Sequence, residues 1–253
     1  MVMHMKTKNI ITVLFCACIF QNIYSQELNT VTYRDGQQKL NGLVTENPGS
    51  KSPGVLILPA WMGIDKEAKT AAMELAKEGY IAFIADIYGE GNIPSNPQEA
   101  SKATGKYKSD YEAYQHRISL ALDELKKAGA DPDRLAVIGY CFGGTGALEA
   151  ARAGLPIKGV ISIHGGLKKA PERPNGKLTP SILIEHPSDD ASVTKEDIEN
   201  ITKEMNDANA DWQMIYYAHS KHTFTNPESQ DYNEVMARRA WKHTLLFLEE
   251  LLK

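Results

Sequence analysis

The sequence predicts an α/β fold: a mostly parallel sheet with helices on both faces, entered through an antiparallel N-terminal hairpin. Three observations lead there. Apolar runs at residues 54–58, 81–85, 135–138, 157–163 and 181–185 alternate with segments whose apolar residues recur at helical spacing. One of these runs breaks at Gly139-Tyr140-Cys141-Phe142-Gly143 and restarts as a helix, a sharp strand-to-helix turn around a lone cysteine. The side chains best suited to chemistry follow the runs, where an open parallel sheet gathers ligands beyond its carboxyl ends.

Taken in order, residues 31–35 and 39–45 read as two strands around an Asp35-Gly36 turn. A polar stretch, residues 46–53, leads into the run 54–58, whose unbroken apolarity marks a strand buried on both faces. From Asp65, Ala68, Ala72, Leu75 and Ala76 form one helical face that Gly79 ends, and a strand follows at 81–85. Residues 92–108 are polar and carry Pro94 and Pro97, and they read as a loop with a single helical turn. Tyr114, Ile118, Ala121, Leu122 and Leu125 define an amphipathic helix over 109–128. Past the cysteine turn and its helix come strands at 157–163, 181–185 and 212–217. A helix at 195–208 separates the last two, and another at about 232–252 closes the chain.

A chain of 253 residues with net charge -4 and 24% charged residues fits one soluble domain and offers no basic field for nucleic acid. Its first residues differ from that average. Lys6 and Lys8 precede an apolar run at 10–20, and Ser25 ends a small-residue site, the order of a secretory signal peptide. The expectation is removal of residues 1–25 and export of a single domain, 26–253, to the periplasm or medium. The run is too short for a comfortable membrane span, and Phe15 and Cys16 make a poor lipoprotein box for Cys18. Cleavage removes Cys16 and Cys18 and leaves Cys141 as the one thiol, unable to form an internal disulfide.

A cysteine at such a turn needs a base or a positive neighbour to act as a thiolate at neutral pH. The helix after Cys141 contributes the positive end of its dipole. His222 follows the last strand and precedes the closing helix, and Asp189 and Asp190 follow the strand at 181–185. The order nucleophile, acid, base (141, 190, 222) is that of α/β hydrolases. Gly139 and Gly143 flank the cysteine two residues away on each side, as the crossing of strand and helix requires.

With these motifs in place, the chain resembles the dienelactone hydrolase family over nearly all of residues 33–253. The resemblance rests on Gly139-Tyr140-Cys141-Phe142-Gly143-Gly144, on Asp190-Ala191-Ser192-Val193, and on the stretch from Lys221 through His222 to Pro227. It implies an α/β-hydrolase fold, a Cys141-His222-Asp190 triad, and an oxyanion hole made by the backbone N–H groups of Phe142 and Trp61. The family's acid stands three residues before a valine, which selects Asp190 over Asp189. Departures bear on the substrate. Ala60 stands where the archetypal members carry a glutamate, and Gly89 and Asn226 stand where they carry arginines that hold a substrate carboxylate. In place of those polar groups are Trp61, Met62, Tyr88 and His164, the expected substrate pocket for a small, neutral, apolar ester or lactone.

Each assignment has a plainer alternative: core packing for Trp61, a hydrogen-bonded strand-end position for His164, a buried inert thiol for Cys141. The histidines lack metal-site spacing, so no metal and no cofactor is expected. The competing functional class is an exported, non-catalytic small-ligand binder that retains a relic triad. Nothing in the sequence bears on oligomeric state.

Overall fold

The computed structural model describes residues 27–49, 51–170 and 172–253. The expected signal segment, with Cys16, Cys18 and Ser25, lies outside the described residues. The chain forms β1 (Asn29–Asp35), β2 (Gln38–Val44), β3 (Ser52–Leu58), α1 (Lys66–Lys77), β4 (Ile81–Ile84), α2 (Pro97–Ser109) and α3 (Tyr111–Lys127). It continues through β5 (Ala130–Tyr140), α4 (Phe142–Arg152), β6 (Gly159–Ile163), β7 (Ser181–Pro187), α5 (Lys195–Asp207), β8 (Trp212–Tyr217) and α6 (Glu234–Leu252).

The strands build one eight-stranded sheet in the order β1-β2-β4-β3-β5-β6-β7-β8. β1 and β2 form the antiparallel hairpin, β2 pairs antiparallel with β4, and every pairing from β4 to β8 is parallel. Alternating side chains divide the apolar runs between two cores. Val55, Ile57, Ala136 and Ile138 pack beneath α1 and α6, whereas Leu56, Leu58, Leu135 and Val137 pack beneath α3 and α4. This is the α/β-hydrolase fold, and it brings the carboxyl ends of β3, β5, β6 and β7 to one edge.

One expectation is corrected. Residues 92–108 are not a loop with a single turn; the 13-residue helix α2 begins within them at Pro97 and runs to Ser109. Its start is built from local chemistry: the Asn96 side chain accepts the Glu99 N–H, Pro97 occupies the first turn, and Glu99 accepts from Ser95 N and Oγ. Ala100 and Tyr107 bury the inner face, and the Tyr107 hydroxyl donates to the Ile87 carbonyl. The two prolines that suggested a loop bracket the helix entry rather than interrupting it.

Candidate active site

The turn between β5 and α4 owes its shape to what glycine lacks. Cys141 sits at φ 52, ψ -112, a conformation that costs a non-glycine residue of order 1–3 kcal/mol. A Cβ on Gly139 would lie 1.9 Å from the Gly143 carbonyl oxygen, and one on Gly143 would lie 2.0 Å from that of Leu58. Both positions must therefore be glycine for α4 to turn back over β5 and against the end of β3.

The Cys141 N–H is shared between the Ile163 carbonyl at 3.0 Å and His164 Nδ1 at 3.1 Å. Phe142, the first residue of α4, points its N–H out of the helix as first-turn amides do. Its ring stacks on Tyr114 at 4.6 Å between centroids, and the Tyr114 hydroxyl donates to the Phe142 carbonyl. Opposite, a tight turn closed by Gly63 N to the Ala60 carbonyl carries Trp61 and Met62. The Tyr88 hydroxyl donates to the Trp61 carbonyl at 2.7 Å, so Tyr88 holds the turn that bears the second candidate oxyanion donor.

Cys141, His222 and Asp190, far apart in the chain, meet at the sheet edge. His222 Nε2 lies 3.1 Å from Cys141 Sγ, and His222 Nδ1 lies 2.8 Å from Asp190 Oδ2. Ser192 donates to Asp190 Oδ1 from both its N–H (2.9 Å) and its hydroxyl (2.6 Å), and that hydroxyl also lies 3.1 Å from His222 Nδ1. Burial alone would raise the Asp190 carboxyl, but hydrogen bonds from His222 and Ser192 outweigh it and hold the group at about 2. For His222, burial opposes the imidazolium; the hydrogen bonds to Asp190 and Cys141 prevail and push it up to about 10. The arrangement favours a positive imidazole beside the Asp190 carboxylate.

The remaining expected residues fall in different surroundings. Trp61 is 37% exposed at the rim, and Met62 is half-buried on the same turn. Tyr88 is buried and lines a cavity of about 80 Å³ with Ala60, Gly63, Ile93 and Phe142. His164, read from the sequence either as a hydrogen-bonded strand-end histidine or as a pocket residue, is 1% exposed and takes the first of these positions. Its Nδ1 accepts from Cys141 N–H, so Nε2 carries the proton toward Thr225 Oγ1 at 2.9 Å, and Thr225 donates to Glu67 Oε1 at 2.6 Å. Burial, helped by the neighbouring His222, pushes the imidazole of His164 down to about 3, so it stays neutral as this chain requires.

Ser192, Thr225 and Glu67 join the site without having stood out in the sequence. Ser192 had a local signal, since a serine two residues after an aspartate can close a turn on its carboxylate. Glu67 had none: it looks like any first-turn glutamate of α1, and only the fold buries it. Desolvation lifts its carboxyl to about 7, against the hydrogen bond from Thr225. A carboxyl raised on folding destabilises the protein from its ordinary pKa upward, in full only above its folded value. Glu67→Gln should therefore raise the unfolding free energy by about 3 kcal/mol at pH 8 and leave it unchanged near pH 4. Urea denaturation at the two pH values checks this, and an equal effect at both would exclude a titrating Glu67.

Residues 40–252 match the model of the dienelactone hydrolase family. A Bradyrhizobium sp protein named "Probable 2-oxo-3-(5-oxofuran-2-ylidene)propanoate lactonase" is 26% identical over 226 residues, covering 85% of this chain and 90% of the relative. Two solved structures align at 29% identity, each covering 90% of this chain and 99% of its own. One, named m3DLH, has a TM-score of 0.86; the other, a dienelactone hydrolase-like promiscuous phosphotriesterase from metagenomic libraries, has 0.83. With the glycine-bounded turn, the sheet order and a family match over residues 40–252, the chain belongs to the dienelactone hydrolase family, and it is an α/β hydrolase of the ester and lactone type.

Proposed function

We propose that the protein hydrolyses a small, neutral, largely apolar ester or lactone through an acyl-cysteine on Cys141. The observation that carries this reading is the 3.1 Å approach of His222 Nε2 to Cys141 Sγ, with Asp190 on the far side of the same ring. In this scheme the Cys141 thiolate attacks the carbonyl carbon, and the N–H groups of Phe142 and Trp61 receive the oxyanion. The His222 imidazolium gives its Nε2 proton to the leaving alkoxide. Water then attacks the thioester as His222 takes its proton, and the thiolate departs with the acid released. Asp190 keeps the ring in the required tautomer and offsets its charge.

Support for a neutral substrate comes from the cavity beside the triad. It has a volume of about 490 Å³, is lined by Tyr107, Tyr111 and Tyr114, and reaches Ser192 at its edge. Three of its four lining cations face carboxylates, and the fourth, the exposed Lys108, pairs with none among the described residues. Arg173 pairs with Glu149 at 2.6 Å while lying over the Tyr111 ring, and Lys169 and Lys168 face Glu204 and Asp197 at 3.6 and 3.8 Å. No bidentate clamp for a carboxylate is left over from these pairs. The N-terminal pattern adds the proposal that the enzyme works outside the cytoplasm.

A panel of activated esters varied in acyl length and charge tests the reading, with acyl-Cys141 trapped by mass spectrometry and Cys141→Ala as control. Turnover of neutral aryl esters with an adduct on Cys141 is expected, with carboxylate-bearing esters at least tenfold slower in kcat/KM. Preference for the anionic esters would overturn the substrate class. Absence of both turnover and adduct would point to the ligand-binding alternative.

A further inference from the structure

On the sheet face opposite α3 and α4, the small side chains of Ala71, Ala237 and Ala240 leave a cleft of about 190 Å³ between α1 and α6. It is predominantly apolar, with Ile163 and Trp241 among its walls, yet Glu67, Glu74 and Glu185 also line it. None of its lining residues is Lys, Arg or His.

Glu185 makes the cleft more than an acidic cluster. It is fully buried on β7, and its Oε1 accepts from the Tyr217 and Thr244 hydroxyls, each at 3.3 Å. Its Oε2 is buried with no hydrogen-bond partner among the described residues. An unpaired buried carboxyl oxygen costs free energy unless something completes it. Glu67, the other buried carboxyl, commits Oε1 to Thr225.

The geometry points to a ligand site in the α1–α6 cleft for a small apolar amine, its ammonium group held by Glu185 and Glu67 and its hydrocarbon part against Ile163 and Trp241. An apolar cavity of about 150 Å³ holds benzene, so this cleft takes one ring with a short amine arm. Burial favours the protonated form of Glu185, and an amine entering as free base accepts that proton. The product is an ammonium–carboxylate pair with no net change in charge. The Trp241 ring supplies a face on which a cation is further stabilised. A neutral carbonyl compound would accept one hydrogen bond from Glu185, whereas an amine takes up its proton and, as an ammonium, donates to both carboxyls. None of Cys141, His222 and Asp190 lines the cleft, which meets the active site only through the Glu67–Thr225–His164 chain, and ligand binding there does not depend on the hydrolase reading.

Benzylammonium is a suitable probe, with benzyl alcohol as its neutral counterpart, and quenching of Trp241 fluorescence in the full chain reads binding without turnover. Saturable quenching with a Kd below about 1 mM is expected, at least tenfold tighter than for benzyl alcohol, and the signal should vanish in Trp241→Phe. Glu185→Gln keeps the shape of the neutral acid and should weaken benzylammonium at least tenfold. Ala237→Phe, on a half-buried face of α6, fills the cleft without touching Glu185 and should abolish binding. Equal affinity for the alcohol and the ammonium would overturn the proposal. So would unchanged affinity in folded Glu185→Gln or Ala237→Phe, or no saturation up to about 10 mM.

Discussion

Asp190→Asn should lower kcat/KM about 10³–10⁴-fold while leaving the fold intact. The direction follows from Ser192, whose N–H and hydroxyl both donate to Asp190 Oδ1. An asparagine must offer its carbonyl oxygen to those two donors, so its amide NH2 turns toward His222 Nδ1. That ring nitrogen then becomes an acceptor, the proton moves to Nε2, and the imidazole can no longer take a proton from the thiol. The charge is lost as well, and with it part of the support that pushes His222 up to about 10. Iodoacetamide labelling of Cys141 at pH 7 should fall in parallel. Turnover within tenfold of the parent would exclude Asp190 as the orienting acid.

The second large effect is structural. Gly143→Ala should cost about 4 kcal/mol or more, because the new Cβ would lie 2.0 Å from the Leu58 carbonyl oxygen and 2.8 Å from that of Pro59. Both obstacles are backbone, one at the end of β3 and one in the turn that carries Trp61, so no side chain can swing aside. Any relief must push β3 away from the cysteine turn, which also separates the two candidate oxyanion donors. Gly105→Ala is the matched control. Gly105 lies in α2 with nothing within 4 Å of the place a methyl would take, and alanine there should stabilise by about 0.5–1 kcal/mol. Urea titrations of the two variants provide the comparison, and a Gly143→Ala loss under about 1 kcal/mol would mean the turn tolerates a side chain.

The contrast between α2 and the cysteine turn shows why some of this molecule could be read in advance. The buried strands 54–58 and 81–85 are apolar on both faces, a pattern loops and surface helices do not produce, and their positions follow directly. At residues 92–108 the prolines drew the reading toward a loop. The capping group of Asn96, Pro97 and Glu99 carried the helix signal, but the inner face of α2 is held by only Ala100, Thr104 and Tyr107, too sparse for clear periodicity.

By itself the sequence determined the alternation of strands and helices, the hairpin at the entry, and the glycine spacing that only a strained strand-to-helix turn requires. It also set the chain order of Cys141, Asp190 and His222, because each follows a strand and parallel strands deliver their carboxyl ends to one edge. Tertiary structure alone decided what stands behind those residues. His164 faces the Cys141 N–H because β6 lies beside β5, and Tyr88 reaches the Trp61 carbonyl because β4 lies beside β3. Glu67 and Glu185 become a pair of buried carboxyls only once α1, α6 and β7 enclose one cleft. Local spacing reports which way a side chain points from its own element, whereas burial and partners depend on which distant elements the sheet order makes neighbours.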